Sequence, residues 1–135
     1  MTSYSLHWPE GTQMVKYTST LTLESRSYPG VRFTICRLSF GRRLELIRRI
    51  GDLVRKLECL ESSERDSDRV EAALLRGEIE RAYLMWGLES VEGIEIDGQP
   101  ATAEVLVERG PEDLVREIVE AIKTEAGLSE EERKN

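Results

Sequence analysis

The chain has 135 residues, 39% of them hydrophobic and 33% charged, with a formal net charge of −7. That length suits one domain with a real core, and the acidic balance argues against a protein held to nucleic acid through phosphates, which the same charge repels. A single histidine, His7, and two cysteines without metal-like spacing, Cys36 and Cys59, supply no Cys/His metal site and fit a reduced cytoplasmic protein. No apolar run is long enough to span a bilayer, and the N-terminus has neither the basic nor the apolar region of a signal peptide.

Residues 1–16 show no periodicity and read as an irregular arm, with Trp8 available to dock on the body or on a partner. From Tyr17 the chain alternates. Tyr17, Ser19, Leu21 and Leu23 share one face, and Thr18, Thr20 and Thr22 share the other, the period of a strand. Pro29-Gly30 marks a turn, and Val31, Phe33 and Ile35 alternate beyond it. A β-hairpin over residues 17–38 follows, and its apolar face must find a partner because an isolated hairpin is marginal.

Leu46, Ile50, Leu53, Leu57 and Leu60 then recur at steps of four and three, with Ile47 and Val54 beside them. This is one face of a helix, and Gly51 does not outweigh it. Ala72, Leu75, Ile79, Ala82 and Trp86 repeat the pattern, flanked by Leu74 and Tyr83. Two such helices joined by the polar residues 62–68 pack most simply as an antiparallel αα-hairpin over 41–86. Leu53→Ala is then expected to cost ~2–5 kcal/mol.

Residues 87–127 read as a junction followed by C-terminal helices. Leu88 to Ile96 is irregular to weakly extended, and Asp97-Gly98 is a turn. Thr102 is the N-cap of a short helix ending before Gly110. Pro111 opens the last helix, along which Leu114, Ile118 and Ile122 recur every four residues, and Gly127 stops it. Residues 128–135 form an expected flexible tail, although Ser129 and Glu132 have the spacing of a capping box. The fold class is α+β and mainly helical, in a single domain.

No constellation here carries chemistry. His7 is far from any nucleophile, no G-x-S-x-G elbow or phosphate-binding glycine loop occurs, and the Asp97-Gly98 turn lacks the ligand steps of a calcium loop. The basic residues from Arg42 to Lys56 decorate one helix and have Glu45, Glu58 and the second helix to pair with. The chain is therefore read as non-enzymatic, with no cofactor and no metal, acting through a surface.

The runs Val91-Glu92-Gly93, Ile96-Asp97-Gly98, Pro100-Ala101-Thr102-Ala103-Glu104, Gly110-Pro111-Glu112-Asp113-Leu114 and the acidic end closing on Lys134-Asn135 resemble the tail assembly chaperones of long-tailed phages and prophages. Pro29-Gly30-Val31 with Arg37-Leu38-Ser39 is similar to some members. The resemblance implies a protein of the host bacterial cytoplasm. It would bind the tape measure protein, and with it the tail tube protein, and assist tail assembly. A homo-oligomer is compatible with that role. A longer frameshifted product, common in such proteins, would continue the Ser129–Glu132 signal. A tape measure protein is largely helical, so helix-in-groove docking suits an αα-hairpin, and Tyr83, Trp86, Leu114 and Ile118 are the expected partner-binding residues. The alternative is a small α+β interaction or regulatory domain unrelated to phage.

Overall fold

A computed structural model describes Gly11 and residues 13–128. Of the expected arm, Gly11 and residues 13–16 are exposed and without regular structure. His7, Trp8 and the Ser129–Glu132 pattern lie outside the described residues.

The β-hairpin forms as expected from its alternation. Strands β1 (Thr20–Glu24) and β2 (Arg32–Cys36) pair antiparallel, with Leu21 opposite Ile35 and Leu23 opposite Phe33. Pro29 and Gly30, the latter at φ +91°, turn the chain, and the Val31 N–H donates to the Tyr28 carbonyl at 3.0 Å, the pattern of a type II turn. Strand pairing starts at Thr20 rather than Tyr17, whose exposed ring instead lies under the Arg37 guanidinium, 5.7 Å from its centroid.

Helices α1 (Phe40–Glu61) and α2 (Asp66–Gly87) make the predicted hairpin. Ser39 caps α1 by accepting from the Arg42 N–H at 3.2 Å, which satisfies one of the orphan donors of the first turn. The antiparallel sense is fixed at both ends. Arg42, at the start of α1, meets Trp86 at the end of α2, and Arg76 of α2 reaches Glu61 at the end of α1. The stripe on α1 is graded. Leu46 and Ile50 are fully buried, while Leu53, Leu57 and Leu60 are half-buried. Towards the tip the two helices have chiefly each other to pack on.

The residues after Trp86 are more regular than the irregular to weakly extended reading. Leu88–Glu92 is a strand, β3, that pairs antiparallel with β2 and completes a three-stranded sheet in the order β1-β2-β3. Its register steps from Thr34↔Ser90 to Ile35↔Leu88, so Glu89 is a bulged residue. The bulge puts Leu88 and Val91 three apart and erases the period of two. Gly93, at φ +89°, brings the chain against the first hairpin, where a Cβ would sit 2.2 Å from the Gly30 carbonyl oxygen. The Asp97-Gly98 turn joins two short strands, β4 (Glu95–Ile96) and β5 (Gln99–Pro100), with both turn residues at positive φ, as a type I′ hairpin requires.

Helices α3 (Ala103–Arg109) and α4 (Glu112–Ala126) follow, α3 capped by Thr102 and α4 closed by Gly127 at φ +55°. Phe33 and Ile35 of the sheet join Leu46, Ile50, Leu84, Leu106, Ile118 and Ile122 in one apolar core. No described helix is long and apolar enough to cross a membrane. Gly87 permits the closest approach in that core, because a Cβ there would lie 2.6 Å from Ile122 Cγ2.

Half-burial lowers the expected cost of Leu53→Ala below the range set for a core leucine. Ile50→Ala takes that range instead, ~2–5 kcal/mol. Gly87→Ala is expected to cost ~1–3 kcal/mol by overpacking against Ile122. Urea unfolding of the three variants checks the order, with Leu53→Ala the mildest of the aliphatic pair.

Candidate protein-binding surface

The four residues expected at a partner surface are core residues. Tyr83 and Trp86 are 3% exposed, and Leu114 and Ile118 are 0% exposed, all within the single core cluster. This corrects the expectation: none of them offers a face to a partner in this conformation. The reason is that α4 lies against α2 and consumes the stripe that an isolated helix pair would leave open. Tyr83 keeps a polar neighbour, with Lys123 Nζ 5.5 Å from its ring centroid.

Trp86 is a structural node. Its Nε1–H donates to the Arg42 carbonyl at 3.2 Å, and the Arg42 guanidinium stacks 4.8 Å from its ring centroid. Arg42 also donates to the Trp86 carbonyl and to Cys36 Sγ, the latter at 3.0 Å, and pairs with Glu45 at 3.3 Å. Burial opposes the arginine charge, but Cys36, Glu45 and Glu89 outweigh it and raise its pKa above the ordinary value. The basic stretch of α1 is partly consumed in the same way. Arg49 pairs with Glu45 at 2.9 Å, Arg55 with Asp52, and Glu61 receives Arg76 from α2 at 2.8 Å. Exposed pairs of this kind contribute about 0–1 kcal/mol each.

A second node holds the first hairpin to α4. Glu117 Oε2 accepts from the Arg26 N–H at 2.6 Å, and Oε1 accepts from the Ser25 hydroxyl at 2.7 Å and the Ser27 N–H at 3.4 Å. Ser25 Oγ in turn accepts from the Tyr28 N–H at 3.0 Å, and the Tyr28 hydroxyl donates to Asp113 at 2.8 Å. One carboxylate thus orders a whole turn from the neighbouring element. Sequence offered no signal for this contact, since Glu117 is one of many carboxylates and its partners are 90 or more residues away.

What α2 leaves open lies on its outer side. Val70 is 64% exposed and Leu74 67% exposed, four residues apart, and Gly77 follows with no atom within 4 Å of where its Cβ would be. Steps of four and three put the three on one stripe, continued by Arg81 and the partly exposed Met85. Arg81 is tied to Glu108 of α3 at 2.7 Å. Leu74, expected to flank the packed stripe, is instead in solvent with Val70, both off the register of Ala72, Leu75 and Ile79.

Among the described residues, no group of three or more His, Cys, Asp or Glu could hold a metal ion. Cys36 is buried, Cys59 is exposed, and both are free thiols. Comparison with protein-family models, curated proteins and solved structures finds no match.

The Glu117 node carries a pH dependence of stated sign. Burial alone would raise its carboxyl, but the Arg26 N–H, the Ser25 hydroxyl and Ser27 outweigh that and hold it below its ordinary value of 4.5. A folded-state pKa below the unfolded one stabilises fully above that ordinary value and fades as pH falls through the lowered one. Glu117→Gln should therefore lower the melting temperature at neutral pH, and its gap from the parent should narrow in acid as pH falls below the ordinary value of 4.5. Thermal melts across that value check it, and a gap that widens in acid would contradict the assignment.

Proposed function

We propose that the protein is a non-catalytic tail assembly chaperone of a long-tailed phage or prophage, working in the host cytoplasm, where it holds the tape measure protein and assists tail assembly. The sequence resemblance supplies the identity of the partner. The observation that carries the reading is the apolar stripe of Val70 and Leu74 beside the open Gly77 on α2. Solvated apolar pairs at i and i+4 on one helix, next to a position without a side chain, are what a second helix packs on. That stripe sits on the outer side of α2, clear of the α1 and α4 contacts, so occupying it requires no rearrangement of the core. The tape measure protein, as a long helical chain, presents helices of the matching kind.

Co-expression with the tape measure protein from the same gene neighbourhood tests this. The expected result is a soluble complex recovered on either tag. Burying a Val or Leu side chain is worth ~1.5–3 kcal/mol, so Val70→Glu with Leu74→Glu should weaken the complex by tenfold or more while leaving the melting temperature of the free protein within a few degrees. A tape measure protein that stays insoluble, or a complex indifferent to both substitutions, would count against the reading.

A further inference from the structure

The sheet has two edges, and they differ. On β3 the edge carries the Glu89 bulge, and α3 packs near it, devices that blunt an edge against further pairing. On β1 (TLTLE) there is no bulge, no proline and no lysine, and no strand pairs with its outer side among the described residues. The Arg37 N–H donates to the Ser19 carbonyl at 2.8 Å, and the Ser25 N–H donates to the Val31 carbonyl at 2.8 Å. Antiparallel alternation then turns Leu21 and Leu23 towards β2 and leaves the N–H and C=O groups of Thr20, Thr22 and Glu24 on the open edge.

Beneath that edge lies a groove of about 530 Å³ between β1 and α4. Leu21 and Leu23, both half-buried, and Ala121 give it an apolar lining. Glu24, Glu120 and Glu125 stand around it and pair with no cation among the described residues, and Arg26 is its one basic residue. Glu117 also reaches the groove, but its oxygens are already engaged by the turn at 25–27.

We propose that β1 and this groove bind a basic, β-forming segment of another protein, which adds to the sheet as a fourth strand. Its main chain pairs with Thr20, Thr22 and Glu24. On the face towards α4 its apolar side chains lie over Leu21 and Leu23, flanked by Lys or Arg that meet Glu120 and Glu125, and on the opposite face a Lys or Arg meets Glu24. Main-chain bonds supply affinity in this mode, and the side chains choose the partner. The charge of the rim selects a cationic segment over an anionic one. The site shares no residue with the Val70–Leu74 stripe and stands whether or not α2 binds a helix.

The test titrates the nitrogen-labelled full chain with a short Lys–Val peptide whose alternate, α4-facing positions carry two Val flanked by Lys. A Glu–Val peptide and an N-methylated Lys–Val peptide that cannot pair are the comparisons. Saturable shifts at the Thr20, Thr22 and Glu24 amides with Lys–Val alone are expected. Replacing Glu120 and Glu125 with Gln should weaken that binding about tenfold, the scale of two partly screened ion pairs. Thr22→Pro removes an outward N–H and no main-chain bond to β2, although it gives up the 2.8 Å contact between the Thr22 and Thr34 hydroxyls, and it should abolish the shifts. The N-methylated peptide makes the same point on the unaltered protein if that variant fails to fold. Equal binding of the Glu–Val or N-methylated peptide, or shifts confined to residues away from β1 and α4, would overturn the proposal.

Discussion

Arg42 and Trp86 are each other's partners twice over. The indole N–H donates to the Arg42 carbonyl, the guanidinium donates back to the Trp86 carbonyl, and the cation lies over the ring. The contact joins the first turn of α1 to the last turn of α2, and through Cys36 it reaches the central strand. A cation over an aromatic ring contributes about 0.5–2 kcal/mol according to its desolvation. Holding it there has a cost, because Arg42 Nε is buried without a hydrogen-bond partner. Gly87 then lets the chain pass close against Ile122 and enter β3 directly. The helix pair and the sheet are thereby set at one junction, and α4 is pressed onto both.

That junction divides the molecule into a packed part and an open one. Around it the apolar stripes of α1, α2 and α4 are spent on the core, which is why Tyr83, Trp86, Leu114 and Ile118 are buried. Away from it, towards the tip of the hairpin, the same α1 stripe is only half covered, and α2 carries Val70 and Leu74 in solvent. A helix of 22 residues spans roughly 33 Å at 1.5 Å per residue, so anchoring one end leaves a long outer face free of the core.

Much of this architecture could be read from the chain because each signal was local. Thr102 and Gly127 cap helices by contacts within a turn, Asp97-Gly98 makes its own hairpin, and the steps of Leu46 to Leu60 repeat within one element. The third strand was hidden by the Glu89 bulge, which removes the alternation by which strands are recognised. The buried fate of Trp86 was hidden for a different reason. A stripe on α2 looks the same in sequence whether α4 or a foreign helix covers it, and only the chain path after Gly87 decides. The Glu117 staple had no local signal of any kind. The groove beside β1 depends on how far α4 lies beneath the sheet, which periodicity does not encode.

If the Arg42–Trp86 contact couples the helix pair to the sheet, the two should open together. Native-state hydrogen exchange on the protein and on Arg42→Met reads this directly. Coupling predicts that the slowest amides of β2, such as Phe33 and Ile35, and of α2, such as Tyr83 and Leu84, report the same opening free energy and lose an equal amount in the variant. Sheet amides that exchange early while α2 keeps its protection, in either protein, would show that the hairpin and the sheet are held independently and would contradict the account.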